Sequence, residues 1–275
     1  MDQAHTRAKW IVGMIHLPSL PGAANAGDWS IERIIELACG DARALADGGM
    51  DAILLQNAQD HPPRKTVPAA TIAAYAVVAA AVRRVTELPI GISVLKSDPA
   101  ASFAIAIAAD ARFVRLKTYV GAEIGAEGLV EGCAAEAVRL RRELGAEHRI
   151  EIWADAIQPT SKPVGGASVA DLASWCVDFG QADRVVVTGV NLAESIQFVE
   201  QARSRVTVPV ILGGGADEAN AERALAASDG LIIGRFLRGG SLAGSISPSR
   251  VRAVVAAARP AADGRAEGPS DRPRP

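Results

Sequence analysis

The chain has 275 residues, 49% of them hydrophobic, with 29 basic residues against 31 acidic ones and a formal charge of −2. That length and apolar content suit a large α/β domain with a sizeable core. Basic residues are scattered rather than gathered into a stripe, which argues against a nucleic-acid partner, and the alanine-rich stretches 69–82 and 100–111 are too short and too polar for a bilayer span.

Residues 1–9 are polar, lack the apolar run of a signal peptide and read as an N-terminal arm of a cytoplasmic protein. Apolar, β-branched runs then recur at 10–16, 52–57, 90–95, 113–118, 150–156, 184–189, 210–213 and 231–235. Each is followed by enough chain for a helix, which predicts a single (β/α)8 TIM barrel over residues 10–259. Their interiors are almost wholly apolar, as parallel strands buried on both faces require. An open doubly wound sheet is the alternative, weakened because no GxGxxG follows the first run. Between the runs, Ser30 caps a helix through Ala46 that Gly48-Gly49 ends; further helices are predicted over 131–144, 192–203, 217–227 and 249–259. Cys39, Cys133 and Cys176 show no metal-ligand spacing and read as reduced core thiols. Residues 260–275 have no apolar period and read as a disordered tail.

In such a barrel chemistry belongs at the carboxyl ends of the strands, so the first polar residues leaving each run are the candidates. His16, in a loop stiffened by Pro18 and Pro21, can act as acid or base, hold a ligand oxygen, or merely bond the loop. Gln56 and Asn57 can read hydroxyls or a base edge but cannot take a proton. Lys96 and Lys117 leave neighbouring strands and can neutralise an anion, a role that needs no pKa shift, or form a Schiff base if desolvated. Asp155 ends an otherwise apolar strand and is the foremost candidate for base, hydroxyl anchor or metal ligand. Thr188 and Gly189 offer a hydroxyl and an amide at the sixth exit.

The last two exits, Pro209-Val-Ile-Leu-Gly-Gly-Gly-Ala216 and Asp229-Gly-Leu-Ile-Ile-Gly-Arg-Phe236, stop on backbone without side chains. Bare amides after strands seven and eight are where barrels of this kind hold phosphate. Gly213, Gly214, Gly215 and Gly234 are therefore expected to cradle a phosphoryl group, with Arg235 clasping it or facing solvent. No protein-bound cofactor is expected; Mg²⁺, held by Asp155 with Asp98 or Asp60 and completed by substrate phosphates, is a minor alternative.

Several segments together resemble the BtpA/SgcQ family: Gly13-Met-Ile-His-Leu-Pro-Ser-Leu-Pro-Gly22, Pro89-Ile-Gly-Ile-Ser-Val-Leu-Lys-Ser-Asp98, Phe113-Val-Arg-Leu-Lys117, Gly128-Leu-Val-Glu-Gly132, Ile152-Trp-Ala-Asp155, Val187-Thr-Gly189 and Ala227-Ser-Asp-Gly-Leu-Ile-Ile-Gly234. The resemblance covers roughly residues 10–255. It implies a TIM-type barrel and a family name tied to photosystem I biogenesis, with many relatives regarded as enzymes of unknown substrate. The chain departs from that pattern at Gln56, where Glu is usual, at Ser93 and Lys117, where Asn is usual, and after Asp155 and Gly189. Two functions follow as expectations: an enzyme using acid/base chemistry on a phosphorylated sugar or nucleotide-like metabolite, possible as a homo-oligomer, or a noncatalytic assembly factor on the same scaffold.

Overall fold

The structure, a computed structural model, describes residues 9–260; residues 1–8 of the predicted arm and the predicted tail from residue 261 lie outside them. In chain order its strands are β1 (Trp10–His16), β2 (Ala52–Gln56), β3 (Ile90–Ser93), β4 (Phe113–Leu116), β5 (Ala122–Gly125), β6 (Gly128–Glu131), β7 (Glu151–Ile157), β8 (Ser161–Pro163), β9 (Arg184–Val187), β10 (Val210–Leu212) and β11 (Gly230–Ile233). Its helices are α1 (Ile31–Asp47), α2 (Ala69–Arg83), α3 (Pro99–Ala108), α4 (Ala134–Glu143), α5 (Val169–Asp178), α6 (Leu192–Arg203), α7 (Ala221–Ala227) and α8 (Pro248–Ala258). Each of the eight predicted apolar runs contributes one barrel strand. They close in the order β1-β11-β10-β9-β7-β4-β3-β2, with β1 pairing in parallel to both β2 and β11. The barrel is therefore closed, and the open-sheet alternative is set aside.

Successive side chains of a barrel strand point alternately inward and outward, and the alternation divides the core in two. Ile11, Ile15, Ile53, Leu55, Val114, Leu116, Ile152, Val185 and Leu212 face the helices in one continuous core. Val12, Met14, Ala52, Leu54, Phe113, Trp153, Val186, Ile211 and Ile232 fill the barrel interior, with Trp10 packed against them. Phe113 and Trp153 stack with ring centroids 4.0 Å apart. Gly91 makes room for them, because a Cβ there would lie 2.1 Å from the Phe113 ring. Truncating either ring to alanine should cost about 3–5 kcal/mol. The stack plugs the amino-terminal half of the barrel and leaves the carboxyl end as the mouth.

Local signals set the helix ends. Ser30 accepts from the Arg33 amide as the N-cap of α1, and Gly49 at φ +86 turns the chain after it. Asp98 and Asn191 cap α3 and α6, and Ser168 forms a capping box with Asp171 at α5. Two predicted helices are shorter than expected. The one predicted to start at residue 131 begins at Ala134, because residues 122–131 form a β5–β6 hairpin that pairs with β8 in a separate three-stranded antiparallel sheet. Gly132 permits this: a Cβ there would lie 2.8 Å from the Val120 backbone. The helix predicted from residue 217 begins at Ala221, because the Asp217 amide is taken by Asn220 Oδ1 at 2.9 Å. The three cysteines are free and buried, and no helix among the described residues is long and apolar enough to cross a membrane.

Candidate active site at the barrel mouth

Continuing each inward-facing row two residues beyond the apolar core generates the mouth. Met14 leads to His16, Leu54 to Gln56, Gly91 to Ser93, Phe113 to Arg115 and on to Lys117, Trp153 to Asp155, Val186 to Thr188, Ile211 to Gly213, and Ile232 to Gly234. The apolar interior thus gives way to a polar ring that eight strands supply together. Most of the predicted site residues belong to it.

Arg115 is the charged member not singled out beforehand. Its Nε and Nη2 donate to Asp155 Oδ1 and Oδ2 at 3.0 and 3.1 Å, a bidentate pair in which both side chains are buried. Asp155 is therefore held by Arg115 through both carboxylate oxygens. Lys117 has no hydrogen-bond or ion-pair partner among the described residues and stays partly open at the mouth. Burial and then the Arg115 charge pull its pKa from 10.5 down to about 8, with Lys96 adding to the drop and Asp155 and Glu127 opposing it. An amine of that kind holds its proton at neutral pH but releases it readily.

His16 is buried at the end of β1. Burial, followed by the charges of Arg238, Arg235, Lys117 and Arg115, lowers its pKa from 6.5 to about 3, so the imidazole is neutral at physiological pH. Its Nδ1 is buried without a hydrogen-bond partner among the described residues. Gly234 gives the ring its place, since a Cβ at residue 234 would lie 2.7 Å from His16 Cε1. Behind it, Arg238 pairs with Asp41, whose Oδ1 also accepts from the Ile246 amide.

The glycine exits divide by role. The Gly213 amide donates to Val187 O at 2.9 Å, and a Cβ there would meet Thr188 Oγ1 at 2.2 Å and Arg115 Nη2 at 3.1 Å. Gly213 thus serves the packing of the ring and has no spare amide. Gly214 and Gly215 donate no hydrogen bond to the described residues; a Cβ added at Gly214 would meet only Thr188 Cγ2, at 3.6 Å, and one added at Gly215, where φ is +85, would meet nothing within 4 Å. Arg235, the first residue of the 3₁₀ turn Arg235–Arg238, is exposed, and its charge is felt at His16. The sixth exit differs: the amides of Gly189 and Val190 are taken by Ser195 Oγ and Glu194 Oε2 of α6, which puts a carboxylate where an anion would sit. Thr188 Oγ1 is buried without a partner among the described residues.

Other predicted residues are committed to the scaffold. Asn57 donates to Asp60 and accepts from the Leu95 amide, and Gln56 donates to Ser93 Oγ at 3.0 Å. Asp60 also accepts from the Leu20 amide, and Asp98 accepts from the Val67 and Ala101 amides. With Asp155 held by Arg115, these carboxylates do not converge, and no group of three or more His, Cys, Asp or Glu among the described residues is placed to share a metal ion. Lys96 pairs with Glu127 of the hairpin at 3.2 Å. Glu123 of the same hairpin accepts from Thr118, Gln158 and Ser161, latching the small sheet over the mouth.

A cavity of about 280 Å³ adjoins His16, lined also by Leu17, Trp29, Arg33, Asp41 and Gly244. A larger depression, about 520 Å³, lies at the amino-terminal end around Trp10, Arg112, His148 and Glu151 and shares no residue with the polar ring.

A family model described as the BtpA family matches residues 7–260. An uncharacterized protein of Archaeoglobus fulgidus is 35% identical over 255 residues, covering 91% of this chain and 99% of its own. The Synechocystis protein named photosystem I biogenesis protein BtpA is 32% identical over 252 residues, covering 90% of this chain and 87% of its own. Thiamine phosphate pyrophosphorylase from Pyrococcus furiosus shares the fold, with a TM-score of 0.55 at 15% identity over 92% of this chain and 96% of that one.

Proposed function

The chain belongs to the BtpA family, and within it we propose an enzyme that binds a phosphorylated sugar or nucleotide-like metabolite in the barrel mouth and moves a proton on it. The observation that carries this reading is the pair of unbonded amides at Gly214 and Gly215, on backbone with room for an added Cβ, at the rim of a ring that contains Lys117, Arg115, Asp155 and His16. Phosphate seats on those amides and on the turn after Gly234, with the exposed Arg235 as its counter-charge. Lys117 serves as the proton-transfer group, because its lowered pKa of about 8 makes both protonation states accessible near neutrality.

The proton-transfer role expected of Asp155 passes to Lys117 in this reading, because Arg115 engages both carboxylate oxygens. Asp155 instead fixes Arg115 and favours the Lys117 ammonium. His16, neutral and with Nδ1 unspent, bonds a ligand oxygen without adding charge. Isomerisation, lyase or aldol chemistry and glycosyl transfer all fit these roles.

The name of the Synechocystis relative favours a second reading, a noncatalytic assembly factor on the same scaffold. Thermal unfolding against a panel of sugar phosphates and nucleotides separates the two. A ligand at a hundredfold over its dissociation constant adds about 2.7 kcal/mol of stability. A response to phosphorylated compounds but not to their dephosphorylated forms supports the enzyme reading; no response across the panel overturns it in favour of the assembly factor.

A further inference from the structure

Charge at the mouth is only partly balanced within the protein. Arg115 is neutralised by Asp155, Arg238 by Asp41 and Lys96 by Glu127, whereas Lys117 and Arg235 have no ion pair among the described residues. The two unpaired cations leave opposite walls. Lys117 follows β4 and Arg235 follows β11, four places apart in a ring of eight strands, and Lys96 beyond β3 is likewise four places from Gly214 and Gly215 beyond β10. With strands about 4.8 Å apart and tilted about 36°, such a ring is roughly 15 Å across. A phosphate seated on the Gly214–Gly215 wall therefore does not reach the lysine wall.

That wall already holds one carboxylate, delivered by a dedicated device. Glu127 sits in the two-residue turn between β5 and β6, where Gly125 pairs with Gly128. Its Oε2 lies 3.2 Å from Lys96 Nζ, the partner that Lys96, 2% exposed, has among the described residues. Gly125 is needed for the approach: a Cβ there would lie 2.7 Å from Glu127 Oε2 and 3.3 Å from Lys96 Nζ. Lys117 senses both the Lys96 and the Glu127 charges. Lys96 thus takes its carboxylate from a hairpin tip outside the barrel rather than from a strand, and Lys117 feels that carboxylate more weakly than it feels Asp155.

We propose that the β3–β4 wall is a second anion subsite, in which Lys96 and Lys117 take the distal oxyanion of a doubly anionic metabolite and Glu127 occupies Lys96 until that ligand arrives. The inference rests on the assignment of the first phosphate to the glycine wall. It narrows the substrate class to small molecules with an anionic group at each end, and it makes Lys96 and Glu127 specificity determinants.

Calorimetric titration with fructose 6-phosphate and fructose 1,6-bisphosphate tests it. The wild-type protein should bind the bisphosphate about tenfold more tightly than the monophosphate, and Lys96→Met should erase that preference while leaving monophosphate affinity unchanged. Because Lys96→Met leaves Glu127 without its counter-ion, the double variant Lys96→Met/Glu127→Gln, which removes both charges together, is measured beside it. Glu127→Gln alone should strengthen bisphosphate binding several-fold, since a competing carboxylate is gone. Equal affinity for the two ligands in wild type, or a preference that survives in the double variant, overturns the second subsite alone. Failure of both ligands to bind overturns the glycine-wall assignment and this inference together.

Discussion

Arg115 grips Asp155 through two hydrogen bonds of 3.0 and 3.1 Å inside a barrel whose interior is otherwise apolar below them. Breaking a buried pair by removing one partner typically costs about 3–5 kcal/mol, because an uncompensated charge stays behind. Asp155→Asn should therefore lower stability by several kcal/mol and abolish turnover together. Asp155→Asn combined with Arg115→Met should recover much of the stability but none of the activity. Chemical denaturation of these two variants and of Arg115→Met alone measures the coupling, and additive losses would show that the pair is not a unit.

The glycines of the seventh exit should separate folding from binding. Gly213→Ala forces a Cβ to 2.2 Å from Thr188 Oγ1 and 2.8 Å from Val186 Cγ1, an overpacking worth about 1–3 kcal/mol of stability. Gly214→Ala meets its nearest atom at 3.6 Å and should change stability by no more than about 0.5 kcal/mol. Gly214→Val should nonetheless weaken binding of phosphorylated ligands, because the larger side chain fills the space beside the open amides. Normal affinity in Gly214→Val would move the cradle elsewhere.

Stability should depend on acid through His16. Its folded pKa of about 3 lies below the ordinary 6.5, so between those values the unfolded chain binds a proton that the folded chain refuses. The His16 contribution is therefore constant above that window and falls as pH drops through it, by on the order of 4 kcal/mol at its lower end. His16→Gln should flatten the difference in urea midpoints between pH 7 and pH 4. Identical pH profiles for wild type and variant would show that the imidazole is not buried neutral.

Lys117 should lose its proton well below the pH at which an ordinary lysine does. Competitive acetylation read by mass spectrometry should show its half-maximal reactivity near pH 8, against 10.5 for an ordinary lysine. Asp155→Asn should move that midpoint lower still, since the opposing carboxylate charge is lost. A midpoint near the ordinary value would remove Lys117 as the proton-transfer group.

The barrel itself was legible in the sequence because its signal is redundant: eight apolar runs, each with a helix-length connection, leave few topologies. The β5–β6 hairpin was not legible, since its strands are four residues long, half exposed and separated by Ala126 and Glu127 alone. Burial therefore imprints little pattern on them, and Glu123 and Glu127 passed unnoticed with them. Arg115 was hidden for the opposite reason, inside an otherwise apolar strand; counting two residues back from Lys117 along the inward row would have exposed it. The glycine exits were recognisable as backbone without side chains. Which amides remain free depends on Val187 O and on the Ser195 and Glu194 side chains, partners brought together only by folding.

In the proposed site an anion sits on the bare amides after the seventh strand. Backbone amide NMR of the ¹⁵N-labelled protein during titration with inorganic phosphate tests it residue by residue. Saturable shifts should be largest at Gly214, Gly215 and Arg235, with Gly189 and Gly213 little affected because their amides are already bonded. Shifts centred on another part of the barrel, or none at saturating phosphate, would contradict it.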